Sequence, residues 1–531
     1  MDILIKNGRV ADGGGQALFD ASVLVRDDRI VRVGAGDENL KADRVIDAAG
    51  CIIAPGFIDT HSHSDLRVLV EPEVLPKVMQ GITTEILGQD GVSLAPLPRQ
   101  YVAAWRKNLA GLEGDSDDIS WDYPTAEKYL AALEEAKPGL NECYLVPHGN
   151  VRMEAMGLDN RAPGPEEMAR MRDIVRRDME AGAFGLSSGL IYLPCLYSKD
   201  DELAGLCAEA EKFEGVFVVH QRSEADAILD SMKEIIGIGK RAGIRTHWSH
   251  FKLCGKNNAD KFEAQIKLFE DAKKDGLRVS FDQYPYVAGS TMLGVILPPW
   301  VHDGGTDKLL SRLESPEMRK KIVADMERGI PGWDNFINFA GLDGIFITSV
   351  KNEKNRRAIG MNLVQLGEAR GRDPYNATFD LLYEEENAVG MVDFYGLEEH
   401  VIYFLRMEEQ NVCTDGLLGG KPHPRVYGAF PRVLGKYCRE EKALGIEAAV
   451  RKMTGRPAEV FQIKDRGFIK EGYFADICVF NPDTIIDKGD YQEPARYPEG
   501  IEYVIINGEV VVEKGRHTGK RAGRVLRKNG S

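Results

Sequence analysis

Paired cysteines, long apolar runs and surplus positive charge are all missing from this 531-residue chain, and each absence removes a class of function. Its eight cysteines (Cys51, Cys143, Cys195, Cys207, Cys254, Cys413, Cys438 and Cys478) form no CxxC pair and no framework spacing. That excludes a zinc finger and a disulfide scaffold, and it fits reduced thiols in a cytoplasm. No stretch approaches the eighteen or so consecutive apolar residues of a membrane span. The first residues, MDILIKNGRV, alternate like a strand and lack the basic-then-apolar pattern of an export signal, so a soluble, cytoplasmic protein is expected. Lysine and arginine number 68 against 83 aspartates and glutamates, a net charge of −15. Such a balance repels nucleic-acid phosphates and anionic lipid, and leaves a small molecule as the expected partner of a monomer or homo-oligomer. Internal repeats and low-complexity segments are also missing.

What is present reads as a globular enzyme. Hydrophobic residues at 43% and charged residues at 28% are ordinary for a soluble fold. The length suits a barrel core with an accessory domain. Residues 3 to 53 hold short alternating runs such as ILIKNGRV and ASVLVRDDRIVRVG between glycine and aspartate turns, the texture of a small antiparallel sheet. That texture returns only near the end, in FIKEGYFADICVF and EYVIINGEVVVEKG. The two ends are therefore expected to assemble one β-sandwich from residues 1–55 and 465–531.

Between them, apolar strands alternate with helical stretches, which argues for parallel βαβ units. Eight strand candidates can be counted: FIDTH, TTEIL, ECYLVPH, FGLSS, VFVVH, RTHWSH, RVSFDQY and NVCTD. Helical patterns lie between them, around residues 166–181 and 202–213. Eight units make an α/β fold of the (β/α)8 TIM-barrel type over residues 56–464, with its chemistry at the C-terminal strand ends. The interval between the seventh and eighth candidates exceeds what one helix needs. PPW, GIP and GW punctuation places an inserted subdomain at about 290–350.

The strand ends carry the chemistry. His61 and His63 lie in FIDTHSHSD two residues apart, so on a strand both imidazoles point to one side, an arrangement suited to a metal. His220 ends VFVVH and His250 ends RTHWSH, two further imidazoles at separate strand ends. His247, three residues before His250, is expected on the opposite face in a structural or helix-facing role. Asp415 closes NVCTDG, where a carboxylate reaches both a metal and the attacking water.

These residues and the runs around them resemble the amidohydrolase superfamily over essentially the whole chain. FGLSSGLIYLP, HQRSE, SHFK, DQYPYVAGSTML and HPRVYGAFPRVLG are similar to the N-acyl-D-amino-acid deacylases within it. The resemblance implies that His61 and His63 hold one metal position and that His220 and His250 share another with a ligand after the second strand. Family members carry a cysteine there in a GNCG turn. This chain reads GQDG, which puts Asp90 in the thiolate's place and leaves metal choice and occupancy open. One or two Zn2+ ions per chain are implied, other divalent metals remaining open.

The implied reaction is metal-assisted hydrolysis of the amide of an N-acyl-D-amino acid, with Asp415 as the catalytic carboxylate that takes a proton from water and delivers it to the departing amine. Lys252, Arg425 and Tyr192 match positions that recognise the substrate carboxylate, Tyr284 lines the same pocket, and His148 and Arg222 match supporting positions. Other readings stay open: a D-dipeptidase, a cyclic amidase of the hydantoinase or dihydroorotase kind, or a barrel that lost its chemistry. Cyclic amidases bridge two metals with a carboxylated lysine on the fourth strand, and AFGLSSGL offers none. A scaffold would lack ligands that this chain retains.

Overall fold

The computed structural model describes residues 2–35 and 41–528. Parts of the expected sandwich segments, at 1, 36–40 and 529–531, lie outside the described residues.

The terminal strands pair across the whole length of the sequence. Ile52–Pro55 runs antiparallel to Ile477–Phe480, with Cys478 opposite Ala54. This pair sits inside a seven-stranded sheet that stacks on a four-stranded sheet of residues 2–6, 22–26, 29–34 and 44–47. Alternation explains why the central strands are buried on both faces. Ile53, Ile477 and Val479 enter the small core shared with Ile3, Ile5, Val23 and Val25. Their neighbours Ile52, Ala54, Cys478 and Phe480 face the other way, into the main core against the barrel.

All eight strand candidates form the barrel. They are β1 (Phe57–Asp59), β2 (Ile82–Leu87), β3 (Asn141–Tyr144, continued by Val146–Pro147), β4 (Gly185–Gly189), β5 (Val216–His220), β6 (Arg245–Trp248), β7 (Val279–Gln283) and β8 (Gln410–Val412). Each pairs in parallel with its neighbours from β1 to β8. The ring closes just beyond the ends of β8 and β1, where Gly416–Leu417 pairs in parallel with Ser62–His63. Lys77, buried, cements this seam by donating to Asp59 at 2.6 Å, Ser62 at 2.8 Å and Thr414 at 2.6 Å.

Period-two alternation decides what reaches the site. In β5, Val216 and Val218 point inward onto Phe461 and Ile463, which plug the barrel. Phe217 and Val219 point outward onto the helical layer. His220 continues the inward parity. The helix Ile228–Ala242 buries Ile228, Met232, Ile235 and Ile238 on one stripe and stops at Gly243, whose φ of +70° suits glycine.

The excursion between β7 and β8 is larger than its sequence punctuation indicates. It contains an antiparallel sheet of Ala288–Met292, Ile345–Val350 and Val389–Phe394, and the last of these is the middle strand. The excursion therefore runs past 350 to about 394. Helices Leu363–Arg370 and Pro374–Glu384, capped by Asn362 and Asp373, fill the interval and look like ordinary barrel helices in sequence. Among the described residues no helix is long and apolar enough to cross a membrane.

Candidate active site

At the C-terminal mouth of the barrel the six expected ligands converge. Asp90 stands at the centre. Its carboxylate lies 3.7 Å from His61 Nε2, 3.6 Å from His63 Nε2, 3.8 Å from His220 Nδ1 and 3.8 Å from His250 Nε2. Asp415 faces the first two imidazoles, at 3.7 Å from His61 and 3.5 Å from His63. These gaps are too long for hydrogen bonds. They suit donors that share a cation, because two ligands about 2.0–2.1 Å from one tetrahedral ion stand roughly 3.3 Å apart.

The unsatisfied atoms agree. Both ring nitrogens of His61, Nδ1 of His220 and Oδ1 of Asp90 are buried without a hydrogen-bond partner among the described residues. Polar atoms left so in a folded interior are costly unless something else binds them. Three overlapping donor groups fit a metal ion: His61, Asp90 and His250; His61, His63 and Asp415; and His220, Glu224 and His250. The electrostatics also call for positive charge. Burial alone would push the Asp90 carboxyl up, yet the imidazoles of His61, His220 and His250 hold it well below the usual carboxylate range. Burial disfavours the charged form of His250 too, but Glu224 and Asp90 carry it to about 9. A bound cation would replace that proton demand.

Three of these residues adopt backbone conformations that side chains rarely take: Asp90, His250 and Asp415 have φ of +55°, +35° and +47°. Each sits just past a strand end, where the chain turns sharply to aim a side chain back over the barrel mouth.

Carboxylates behind the histidines set their orientation, and these were not visible in the sequence. Glu113 Oε1 pairs with His63 Nδ1 at 3.0 Å. Glu224 pairs with His250 Nδ1 at 3.1 Å and with Lys252 Nζ at 2.7 Å. Asp282 accepts from His250 N at 2.6 Å and from the His247 ring at 2.9 Å. Such contacts leave the opposite ring nitrogen of His63 and of His250 free for a metal.

His247 corrects the expectation of an opposite, helix-facing side. β6 ends at Trp248, which faces the outer helices, so His247 points inward. There it bonds Ser280 and Asp282 below the site. The positive φ of His250 breaks the parity that sequence spacing assumes. The structural part of the expectation stands.

Three of the four expected substrate contacts, Tyr192, Lys252 and Tyr284, line one cavity, and Arg425 packs against the Tyr284 ring. Arg425 Nη1 stands 2.9 Å from Asp415, and its guanidinium lies 4.3 Å from the Tyr284 ring centroid. Lys252 and Tyr284 face the same cavity, where the Tyr284 hydroxyl meets that of Tyr395 at 2.7 Å. Tyr192 packs edge-on against His220 and bonds Thr291 at 2.9 Å. His148 and Arg222 lie behind the strand ends, held by Glu202 and Glu234.

The cavity these residues enclose measures about 40 Å3 and holds His63, Asp90, His220, His250, Lys252 and Asp415 in its lining. The pattern of the Amidohydrolase family matches residues 44–324 and 415–512. The chain belongs to the amidohydrolase family.

Relatives of this amidohydrolase are similar along their full length. The N-acyl-D-glutamate deacylase of Alcaligenes xylosoxydans xylosoxydans is 34% identical over 100% of this chain and 97% of its own. The D-aminoacylase of the same organism is 32% identical over 99% and 97%. The crystal structure of N-acyl-D-glutamate deacylase from Bordetella bronchiseptica, complexed with zinc and a phosphonate mimic of the tetrahedral intermediate, superposes with a TM-score of 0.84. It shares 32% identity and covers 99% of each chain.

Proposed function

We propose that this amidohydrolase uses zinc to hydrolyse the amide bond of N-acyl-D-amino acids, releasing a carboxylic acid and the free D-amino acid. The observation that carries the proposal is the convergence of His61, His63, Asp90, His220, His250 and Asp415 on one buried point with donor atoms left unsatisfied. The full-length likeness to deacylases of N-acyl-D-amino acids supplies the substrate class and its chirality.

His220 and His250, each 3.8 Å from Asp90, would hold one ion with it, and His61 and His63 with Asp415 a second. Bound there, zinc supplies Lewis acidity that polarises an amide carbonyl and acidifies water. The protein's own groups do the rest. Asp415 is kept ionised: burial raises its carboxyl, but Arg425 and His61 more than compensate and hold it far below the usual range. It takes the proton of the attacking water and returns it to the nitrogen of the departing amine, which cannot leave as an anion. Lys252 in the cavity lining, and Arg425 beside Asp415 with no hydrogen-bond partner on Nε among the described residues, offer cationic donors to the substrate carboxylate, while Tyr284 and Tyr192 line the same cavity.

A cyclic amidase is disfavoured by β4, which reads GLSSG and presents no lysine to bridge two ions. The eight free cysteines support a cytoplasmic setting.

The test is a zinc-loaded screen of N-acetyl and N-formyl D- and L-amino acids that detects the freed amine, with Asp415→Asn as the blank. Turnover of D compounds alone, lost in the blank by several orders of magnitude, is the expected result. Silence across the panel with metal bound would move the substrate to other C–N bonds, such as cyclic amides or D-peptides.

A further inference from the structure

Five carboxylates line the catalytic cavity: Asp90, Glu224, Asp334, Asp393 and Asp415. Four have evident work within the protein. Asp90 faces the imidazoles, and Asp415 pairs with Arg425. Glu224 pairs with Lys252 and His250. Asp334 accepts from Ser223 Oγ at 2.5 Å and from Glu224 N at 2.6 Å, tying the inserted segment to the loop after β5.

Asp393 is different. It projects from the middle strand of the inserted sheet, where it stands opposite Gly289. The side chain is only 3% exposed and makes no hydrogen bond or ion pair with another residue among the described residues. Gly289 makes room for it: a Cβ there would stand 3.1 Å from Asp393 Oδ1. Burial pushes its carboxyl up to about 7, against the pull of Lys252 and Arg425. A buried acceptor without a partner from elsewhere in the protein is stabilised by whatever donor a ligand brings.

The cations near the cavity are already committed. Lys252 is the one lysine or arginine among its described lining residues, and its ammonium lies 2.7 Å from Glu224. Arg425 reaches Asp415 from behind Tyr284. In the proposed reaction both serve the substrate's α-carboxylate. A second carboxylate, on the substrate's side chain, finds no free cation and meets Asp393 instead. A side-chain amide or ammonium finds an acceptor.

We propose that Asp393 forms a donor-reading subsite that selects N-acyl-D-amino acids whose side chains end in an amide or ammonium and rejects those ending in a carboxylate. This rests on the deacylase reading and separates substrate classes that the relatives, similar in identity, leave together.

N-acetyl-D-glutamine and N-acetyl-D-glutamate are nearly isosteric and differ in whether the side chain donates, so they isolate the effect. On the zinc-loaded enzyme at about pH 8.5, where Asp393 is ionised and can only accept, kcat/KM for the glutamine compound is expected to exceed that for the glutamate compound by at least about tenfold, the scale at which an unmatched polar contact discriminates. Asp393→Asn, whose amide can both donate and accept, is expected to shrink that ratio to within about threefold. Circular dichroism and zinc content equal to those of the unmodified enzyme are the check that this variant is folded. Calorimetric binding of the same two compounds to Asp415→Asn gives the ratio without turnover. If no D compound is hydrolysed, the deacylase reading falls, while the binding ratio still judges the subsite. Equal or better use or binding of the glutamate compound by the unmodified pocket, or a ratio that Asp393→Asn leaves unchanged, overturns the proposal.

Discussion

Arg425 Nη1 stands 2.9 Å from Asp415 Oδ2 with the guanidinium fully buried and the carboxylate nearly so. The pair binds the proposed acid–base residue to the proposed carboxylate receptor, so one substitution should disturb both. Removing the guanidinium takes away the largest influence holding the Asp415 carboxyl down, while burial continues to push it up. The sign follows: the acid limb of kcat/KM against pH moves to higher pH in Arg425→Met. Arg425→Lys keeps a charge but loses the planar fork, and should lower kcat/KM by about 10- to 100-fold through KM, the scale of one or two charge-assisted hydrogen bonds. A pH profile of Arg425→Met that overlays the unmodified enzyme would separate the two residues' roles.

His220 tests the metal directly. It reaches the site by inward parity along β5, and its Nδ1 has no hydrogen-bond partner among the described residues. Truncation to alanine removes one donor of the group that also contains His250 and opens a small cavity, without disturbing the barrel ladder. The purified His220→Ala protein should fold, lose at least one equivalent of zinc by elemental analysis, and lose activity with it. Full metal content with full turnover would remove His220 from the site.

The barrel was legible because each parallel strand is short, apolar and bounded by turns, and because ligands must gather at C-terminal ends. His61, His63, His220, His250 and Asp415 stand out as candidates by that logic, and Asp90 by its place in a recognised turn. Where the insertion ends was not legible, because Leu363–Arg370 and Pro374–Glu384 bear the caps and apolar stripes of barrel helices. His247 was misplaced because parity counting presumes extended backbone up to His250, whose φ is +35°. Glu113, 50 residues after His63, and Asp393 come from loops and an inserted strand, where long-range contacts leave no local periodicity to read. Glu224 lay within HQRSE, yet nothing in that run tells a partner of His250 from a solvated charge.

Asp90 marks the chain's departure from the cysteine-bearing pattern. Its φ of +55° is tolerated better by aspartate than by most side chains, since a short polar group can settle in the left-handed region. Asp90→Cys therefore should fold with a slightly lower thermal midpoint when metal-free, by an amount on the order of 1 kcal/mol of backbone strain. It should still bind zinc, because a thiolate at this central point faces the same four imidazoles. Calorimetry with zinc decides the matter: a variant that folds but takes up no zinc would show that two carboxylate oxygens are needed where one sulfur cannot span both positions.

His148 supplies a pH test away from the metal ligands. Its Nε2 lies 2.8 Å from Glu202 and its Nδ1 2.9 Å from Ser188, both contacts buried. Burial works against the charged imidazole, but Cys195 and Glu202 outweigh it and carry the group from its ordinary 6.5 up to about 9. A folded-state value above the unfolded one means that the contribution is fully present below pH 6.5 and is lost as pH rises through about 9. The thermal midpoint of the protein should therefore fall between those two values. His148→Gln keeps hydrogen bonds to both partners but cannot titrate, so its midpoint should be lower at pH 6 and nearly parallel to baseline drift above it. An equal pH slope in both proteins would place the loss of stability elsewhere, since only the unmodified chain carries the imidazole proton that Glu202 holds.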